Sequence, residues 1–437
     1  MGGDEARTEE RPRTVGTDAS ADGAKGSAPR ASTQARLVLV PVALVAAGVA
    51  VCAAGPVPLG VVLAVFGLLV GVAETLIGSA LVKVFLAPHA NAFTLMSSLK
   101  VARGSGEASC DDSSSVAASN SEDAAELEER EIDEAVGWGL TRAASEQESS
   151  LAGLSPEESS VMRVNILRER RETYAWLSAQ PSWERVSITA EDGETLVAHA
   201  LVCRPDSPRW AVLCHGYAGT WGSMMPYARS LGEQGFNLLV PDMRAHGESG
   251  GRLIGLGHLD RRDVVLWARC LAEGGLGLSG VAAPCTDILL LGQSMGACAV
   301  CSALGEPDLP AEVRVAVADS AVSSGCDAVA GFIGALGLPV HPLIELLRLN
   351  LKVRPRGYDI ADVQPERSLG RSQVPLILFH GGRDLSVPVS SSEVLARAAG
   401  SRARLVVVPG GGHCTSSLAD PGRYWGELIA FVEPRLS

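Results

Sequence analysis

The chain has 437 residues, with 37 Lys and Arg against 50 Asp and Glu and a net charge of −13 at neutral pH. That length is too great for one small domain, and the acidic balance excludes a dominant basic surface for nucleic acid. The imbalance is local, since residues 101–160 carry 15 Asp and Glu against 3 Arg.

Residues 1–35 are polar and rich in Gly, Ser, Thr and Pro, the composition of a disordered tail. Residues 36–86 follow as an apolar region in which Glu74 is the one charge between Leu37 and Val82. As a single helix, 37–82 would be about 69 Å long, more than twice the hydrocarbon thickness of a bilayer. The run Gly55-Pro56-Val57-Pro58 divides it into two expected membrane spans, 37–54 and 57–82. A secretory signal is the poorer reading, because a long polar stretch precedes the run. Lys25, Arg30 and Arg36 lie before the first span and Lys83, Lys100 and Arg103 after the second, with no basic residue between them. Two spans would therefore place both the tail and the main body in the cytoplasm, at the cell membrane; if only one segment spans, the body lies outside instead. Residues 87–154 are read as an acidic, Ser- and Glu-rich linker.

From residue 155 onward the pattern becomes globular. Ser155-Pro156-Glu157-Glu158 is a helix start: a capping serine, proline in the first turn and a glutamate three residues on. A hairpin is expected around Glu191-Asp192-Gly193. Apolar strands are expected at 210–214, 237–240, 288–291, 313–318, 376–379 and 405–408, alternating with helices. Continuous apolar strands between helices imply a mostly parallel sheet covered on both faces, with ligands beyond the strands' carboxyl ends.

The motifs fall at those ends. Strand 288–291 runs into Gly292-Gln293-Ser294-Met295-Gly296 and then into a helix of small residues, a turn that presents the Ser294 hydroxyl. Strand 210–214 ends in His215-Gly216-Tyr217-Ala218-Gly219, whose bend can direct a backbone N–H at the serine; with the Met295 N–H it would form an oxyanion hole. Asp242, Arg244 and His246 are read as braces of their loop. The orienting carboxylate is Asp384, in a loop closed by Val387-Pro388, with Asp319 as competitor; the base is His413, in Pro409-Gly410-Gly411-Gly412-His413. The order Ser294, Asp384, His413 differs from the orders of chymotrypsin and subtilisin. Cys298 and Cys301, three apart on one helix, read as small buried apolar residues. No histidine or cysteine spacing suggests a metal, so neither metal nor cofactor is expected.

Together, His215-Gly216, the Asp242-to-Ser249 loop, Gly292-x-Ser294-Met295-Gly296, Asp384 with Val387-Pro388, and His413 resemble the α/β-hydrolase superfamily over about 184–435. The likeness is strongest to monoacylglycerol-lipase-like and serine-aminopeptidase-like hydrolases, and to bacterial hydrolases with an apolar N-terminal anchor. That resemblance implies an α/β-hydrolase fold over 155–437, Ser294 as nucleophile, His413 as base, Asp384 as orienting acid, and Tyr217 and Met295 as oxyanion donors. It also implies that the insertion at about 322–373 forms a cap. An apolar cap near a membrane anchor fits a small acyl ester or lipid substrate. Hydrolysis of an ester, or of an amide, through an acyl-enzyme is the expected activity; acyl transfer by the same residues and an inactive scaffold are the alternatives.

Overall fold

The computed structural model describes residues 42–47, 57–86, 154–181, 183–335 and 337–437. The expected polar tail and acidic linker lie outside the described residues, as does most of the first expected span. Residues 42–47 of that span are helical.

One helix, α1 (Val57–Phe85), covers the second apolar segment, and α2 (Pro156–Ser178) opens the globular part. Ser155 caps α2: its hydroxyl accepts from Glu158 N, and the Glu158 carboxylate accepts from Ser155 N. Eight strands follow: β1 (Glu184–Thr189), β2 (Thr195–Leu201), β3 (Arg209–Cys214), β4 (Asn237–Pro241), β5 (Asp287–Gln293), β6 (Val313–Asp319), β7 (Leu376–Gly381) and β8 (Ala403–Val408). They form one sheet in the order β1-β2-β4-β3-β5-β6-β7-β8. The β1–β2 and β2–β4 pairs are antiparallel, and every later pair is parallel.

Side chains alternate across a strand, and here both sets are apolar. Trp210, Val212 and Cys214 of β3 enter one core with Val264 and Trp267 of α4 (Asp260–Ala272) and Ala297 and Cys301 of α5 (Met295–Ala303). Ala211 and Leu213 enter the opposite core, with Tyr227 and Leu231 of α3 (Met225–Glu233) and Tyr424 and Leu428 of α9 (Pro421–Val432). A sheet coated on both faces exposes only its ends, and the site forms at one of them.

The insertion between β6 and β7 holds α6 (Gly325–Ala335), α7 (Val340–Lys352) and α8 (Pro365–Leu369). Leu369 belongs to the core of the main body, whereas Val329 and Ile333 of α6 and Ile344, Leu347 and Leu351 of α7 form a separate cluster. That cluster is shared with Val82, Phe85 and Leu86, which are 1%, 3% and 0% exposed. The last turns of α1 therefore pack against the cap, although the sequence offered nothing nearby to cover an apolar run. Further back, Phe66, Leu68, Leu69 and Leu76 stay exposed.

The loop after β4 is tied to the hairpin and to α4. Arg244 is almost buried and binds Asp263 through Nε and Nη2 at 2.9 and 2.7 Å, and Asp192 through Nη1 at 2.7 Å. Removing the guanidinium would leave the buried Asp263 carboxylate uncompensated, which costs about 3–5 kcal/mol. Arg244→Met is expected to lose that much in urea unfolding; a loss below about 1 kcal/mol would mean that water reaches the site.

Candidate active site

Ser294 stands between β5 and α5 with φ +52° and ψ −112°. This is strained backbone for a residue with a side chain, and the surroundings hold it in place. Ser294 N donates to Asp319 O at 2.8 Å, and Ser294 O accepts from Cys298 N at 3.0 Å. The turn leaves no room for side chains at the flanking glycines. A Cβ on Gly296 would lie 2.1 Å from the Cys214 carbonyl oxygen, and one on Gly292 would lie 2.3 Å from the Gly296 oxygen.

The structure brings the three residues read from sequence order into contact. His413 Nε2 lies 3.0 Å from Ser294 Oγ, and His413 Nδ1 lies 2.7 Å from Asp384 Oδ2. Asp384 Oδ1 accepts from Ser386 N and Val387 N, both at 2.8 Å. His380 Nε2 lies 3.3 Å from Asp384 Oδ2 and 3.0 Å from the Val387 oxygen. Burial alone would raise the Asp384 carboxyl, but the hydrogen bonds from His380 and His413 outweigh it and hold the group well below the usual carboxylate range. Such a carboxylate stays ionised and accepts from His413 Nδ1, leaving Nε2 free to accept from the serine hydroxyl.

The competitor Asp319 is engaged elsewhere. It is fully buried, and its Oδ2 accepts from the hydroxyls of Tyr227 and Tyr424 at 2.9 and 3.0 Å. Ser320 Oγ donates to Asp319 Oδ1 at 3.1 Å and accepts from Cys414 N at 3.0 Å, so this cluster steadies the loop that carries His413.

On the other side of Ser294 lies the loop after β3. A Cβ at Gly216 would come within 3.4 Å of the serine Cβ, which sets this backbone directly beside the hydroxyl. Met295 is the first residue of α5, so its N–H has no acceptor within the helix. His215 and His246 brace the same region. His215 Nε2 accepts from Met243 N at 2.9 Å, and His246 Nε2 accepts from Ala218 N at 3.1 Å. Each therefore carries its proton on Nδ1, which donates to Gly216 O and Arg244 O respectively. Asp242 accepts from Trp221 N and Glu248 N, a structural role for both oxygens. His199, Asp242 and Glu248 come within 4.8 Å of one another, but these backbone bonds and the Arg185–Glu248 ion pair at 2.6 Å already engage the carboxylates. Cys298 and Cys301 are thiols buried in apolar clusters.

Sequence reasoning did not find the second histidine on Asp384, nor Ser320. Both sit at strand ends, and that position was the available signal. It also gave Tyr217 only a backbone role, whereas its hydroxyl donates to the Phe85 carbonyl at 2.8 Å.

Residues 211–425 match the model of the alpha/beta hydrolase family. The chain belongs to the α/β-hydrolase superfamily. Among curated relatives, it is 29% identical over 244 residues to a monoacylglycerol lipase of Mycolicibacterium smegmatis, covering 48% of this chain and 83% of the relative. It is 26% identical over 233 residues to the uncharacterised protein YqkD of Bacillus subtilis, covering 52% and 72%. An uncharacterised protein of Mycobacterium tuberculosis is 30% identical over 244 residues, covering 56% and 76%. Among solved structures, an esterase of Pyrococcus furiosus aligns over 59% of this chain and 92% of its own, with 21% identity and a TM-score of 0.47. By family, the protein is a hydrolase.

Two experiments follow. Asp384→Asn keeps the shape but loses the ionised acceptor, and is expected to lower turnover per folded molecule by about 10⁴, with a lowered Tm because the fold favours the charged form; Asp319→Asn should lower Tm with turnover per folded molecule retained. Burial, aided by the neighbouring His246, holds His215 down to about 3 from its ordinary 6.5. The unfolded chain then binds a proton that the folded one refuses, so this contribution is complete above pH 6.5 and is lost as pH falls toward 3, by up to about 1.4 kcal/mol per pH unit. In urea unfolding, the stability gap between the wild type and His215→Gln should narrow by about 2 kcal/mol from pH 7 to pH 5; parallel pH profiles would contradict the assignment.

Proposed function

We propose that the protein is a membrane-anchored serine hydrolase that cleaves carboxylic esters through an acyl-enzyme. The observation that carries the reading is the continuous line from Ser294 Oγ through the His413 ring to Asp384, at 3.0 and 2.7 Å. In the first step His413 Nε2 takes the hydroxyl proton as Oγ bonds to the substrate carbonyl carbon. The oxyanion forms against the backbone N–H groups of Tyr217 and Met295, each such donor being worth about 10²–10³ in rate. The imidazolium then protonates the leaving alcohol, and the C–O bond breaks to leave the acyl group on Ser294. Water repeats the sequence, giving up its proton to His413, and releases the acid.

Apolar acyl esters, lipids among them, are the favoured substrates. The likeness to a monoacylglycerol lipase supports this class. Membrane anchoring is supported by 64–83 within α1, whose 20 residues have a mean hydropathy of 2.0 and suffice for a bilayer core of about 30 Å. Val42, Val45 and Ala46 line an apolar cleft with Gly67, Gly71 and Val72 of α1, which favours a hairpin of two spans. Lys83 then lies on the cytoplasmic side with the hydrolase domain.

Membranes carrying the full chain, exposed to a fluorophosphonate probe, should yield one labelled band that stays with the pellet after carbonate washing. Ser294→Ala and His413→Ala should abolish labelling and lower ester turnover by at least about 10⁴. A folded wild type that takes no label would end the serine-hydrolase reading.

A further inference from the structure

The carboxyl end of α1 does more than lie against the cap. Its last carbonyls have no partner within the helix, and the hydrolase domain supplies two. Tyr217 Oη donates to Phe85 O at 2.8 Å, and Ile254 N donates to Leu86 O at 2.8 Å. Ring contacts surround the first of these bonds: Phe332 of the cap lies 6.2 Å from the Phe85 ring and 5.8 Å from the Tyr217 ring.

Tyr217 is also the residue whose backbone N–H faces the proposed oxyanion. Its neighbours on both sides are fixed. Gly216 lies against Ser294, and Ala218, at φ +60°, gives its N–H to His246. The side chain of Tyr217 is the third fixed point of this short loop, and what fixes it is a helix more than 130 residues earlier in the chain.

We propose that the last turn of α1 is a working part of the catalytic site, and that Tyr217 is a positioning residue through which this helix holds the oxyanion loop in register with Ser294. The proposal rests on the serine-hydrolase reading above. Oxyanion donors act only when they lie within hydrogen-bond distance of where the charge develops, so a small shift of the loop costs rate in the transition state and little in substrate binding. The apolar N-terminal segment thereby sets turnover as well as location, and a change in how α1 sits is transmitted to the chemistry through one hydroxyl.

The test uses the full chain in detergent micelles with p-nitrophenyl butyrate, with active sites counted by fluorophosphonate titration. Tyr217→Phe removes the hydroxyl and keeps the ring. It is expected to lower kcat per titrated site about ten-fold, with KM within two-fold and Tm nearly unchanged. Leu86→Ala, which loosens the helix end without touching the loop, should lower kcat in the same way. Leu68→Ala, on the exposed stretch of α1, should behave as wild type. A Tyr217→Phe enzyme with wild-type kcat per site, in an active preparation, overturns the positioning role and leaves the hydrolase reading standing. A fall in the number of titratable sites with unchanged kcat per site also overturns it, because the hydroxyl would then serve folding alone. Folded wild type that neither labels nor turns over ester overturns the hydrolase reading and this proposal together.

Discussion

Everything at the active end of the sheet depends on how closely α5 approaches β3. Gly296 stands so near the Cys214 carbonyl that even a methyl group would collide with it. That contact draws the helix start down onto the sheet and forces the chain at Ser294 into positive φ. A strained residue persists only where its surroundings over-determine it. Here the serine is held by a backbone bond to Asp319 on one side and by the first turn of α5 on the other. The hydroxyl is thus fixed by backbone geometry before any side chain takes part.

Two carboxylates at neighbouring strand ends were open to a catalytic reading, and their environments differ in kind. Asp319 is buried among hydroxyl donors, and burial raises its pKa despite the bonds from Tyr227 and Tyr424. Asp384 receives two backbone N–H groups and faces two histidines, and it is held strongly ionised. Only the second can orient an imidazole while stabilising its charged form. The first fixes the loop that brings this imidazole into place. Position along the chain singled out Asp384, and the physical ground for preferring it lies in the donors around it.

The parallel strands were legible because each is a continuous apolar run, and both faces of such a strand need cover. The residues of the site were legible because each lies one turn past a strand end, in a glycine-rich bend. What escaped was contact across long separations. No local pattern could show that Tyr217 would reach Phe85, or that the apolar run would end against α6 and α7 rather than stop at Val82. Which helices of the insertion share a core was equally hidden: α6 and α7 cluster with the end of α1, while Leu369 joins the core of the main body. His380 lies at a strand end, and its place beside Asp384 depends on the turn at Ser386 and Val387, whose amides fold back on the same carboxylate.

The docking of α1 also changes what residues 87–153 are in topological terms. Leu86 is buried against the cap, and Leu154 packs with Met162 and Leu418 on the opposite end of the chain's path. The residues at its two ends are therefore held on one body, so in connectivity it closes a circuit. Circuits of this kind tolerate wide changes in length, because each doubling adds only about 0.6 kcal/mol of closure entropy. A protease cut within it would remove the covalent tie and leave burial of Val82, Phe85 and Leu86, worth roughly 5–8 kcal/mol at the usual value per side chain, to hold the two pieces against the entropy of separation.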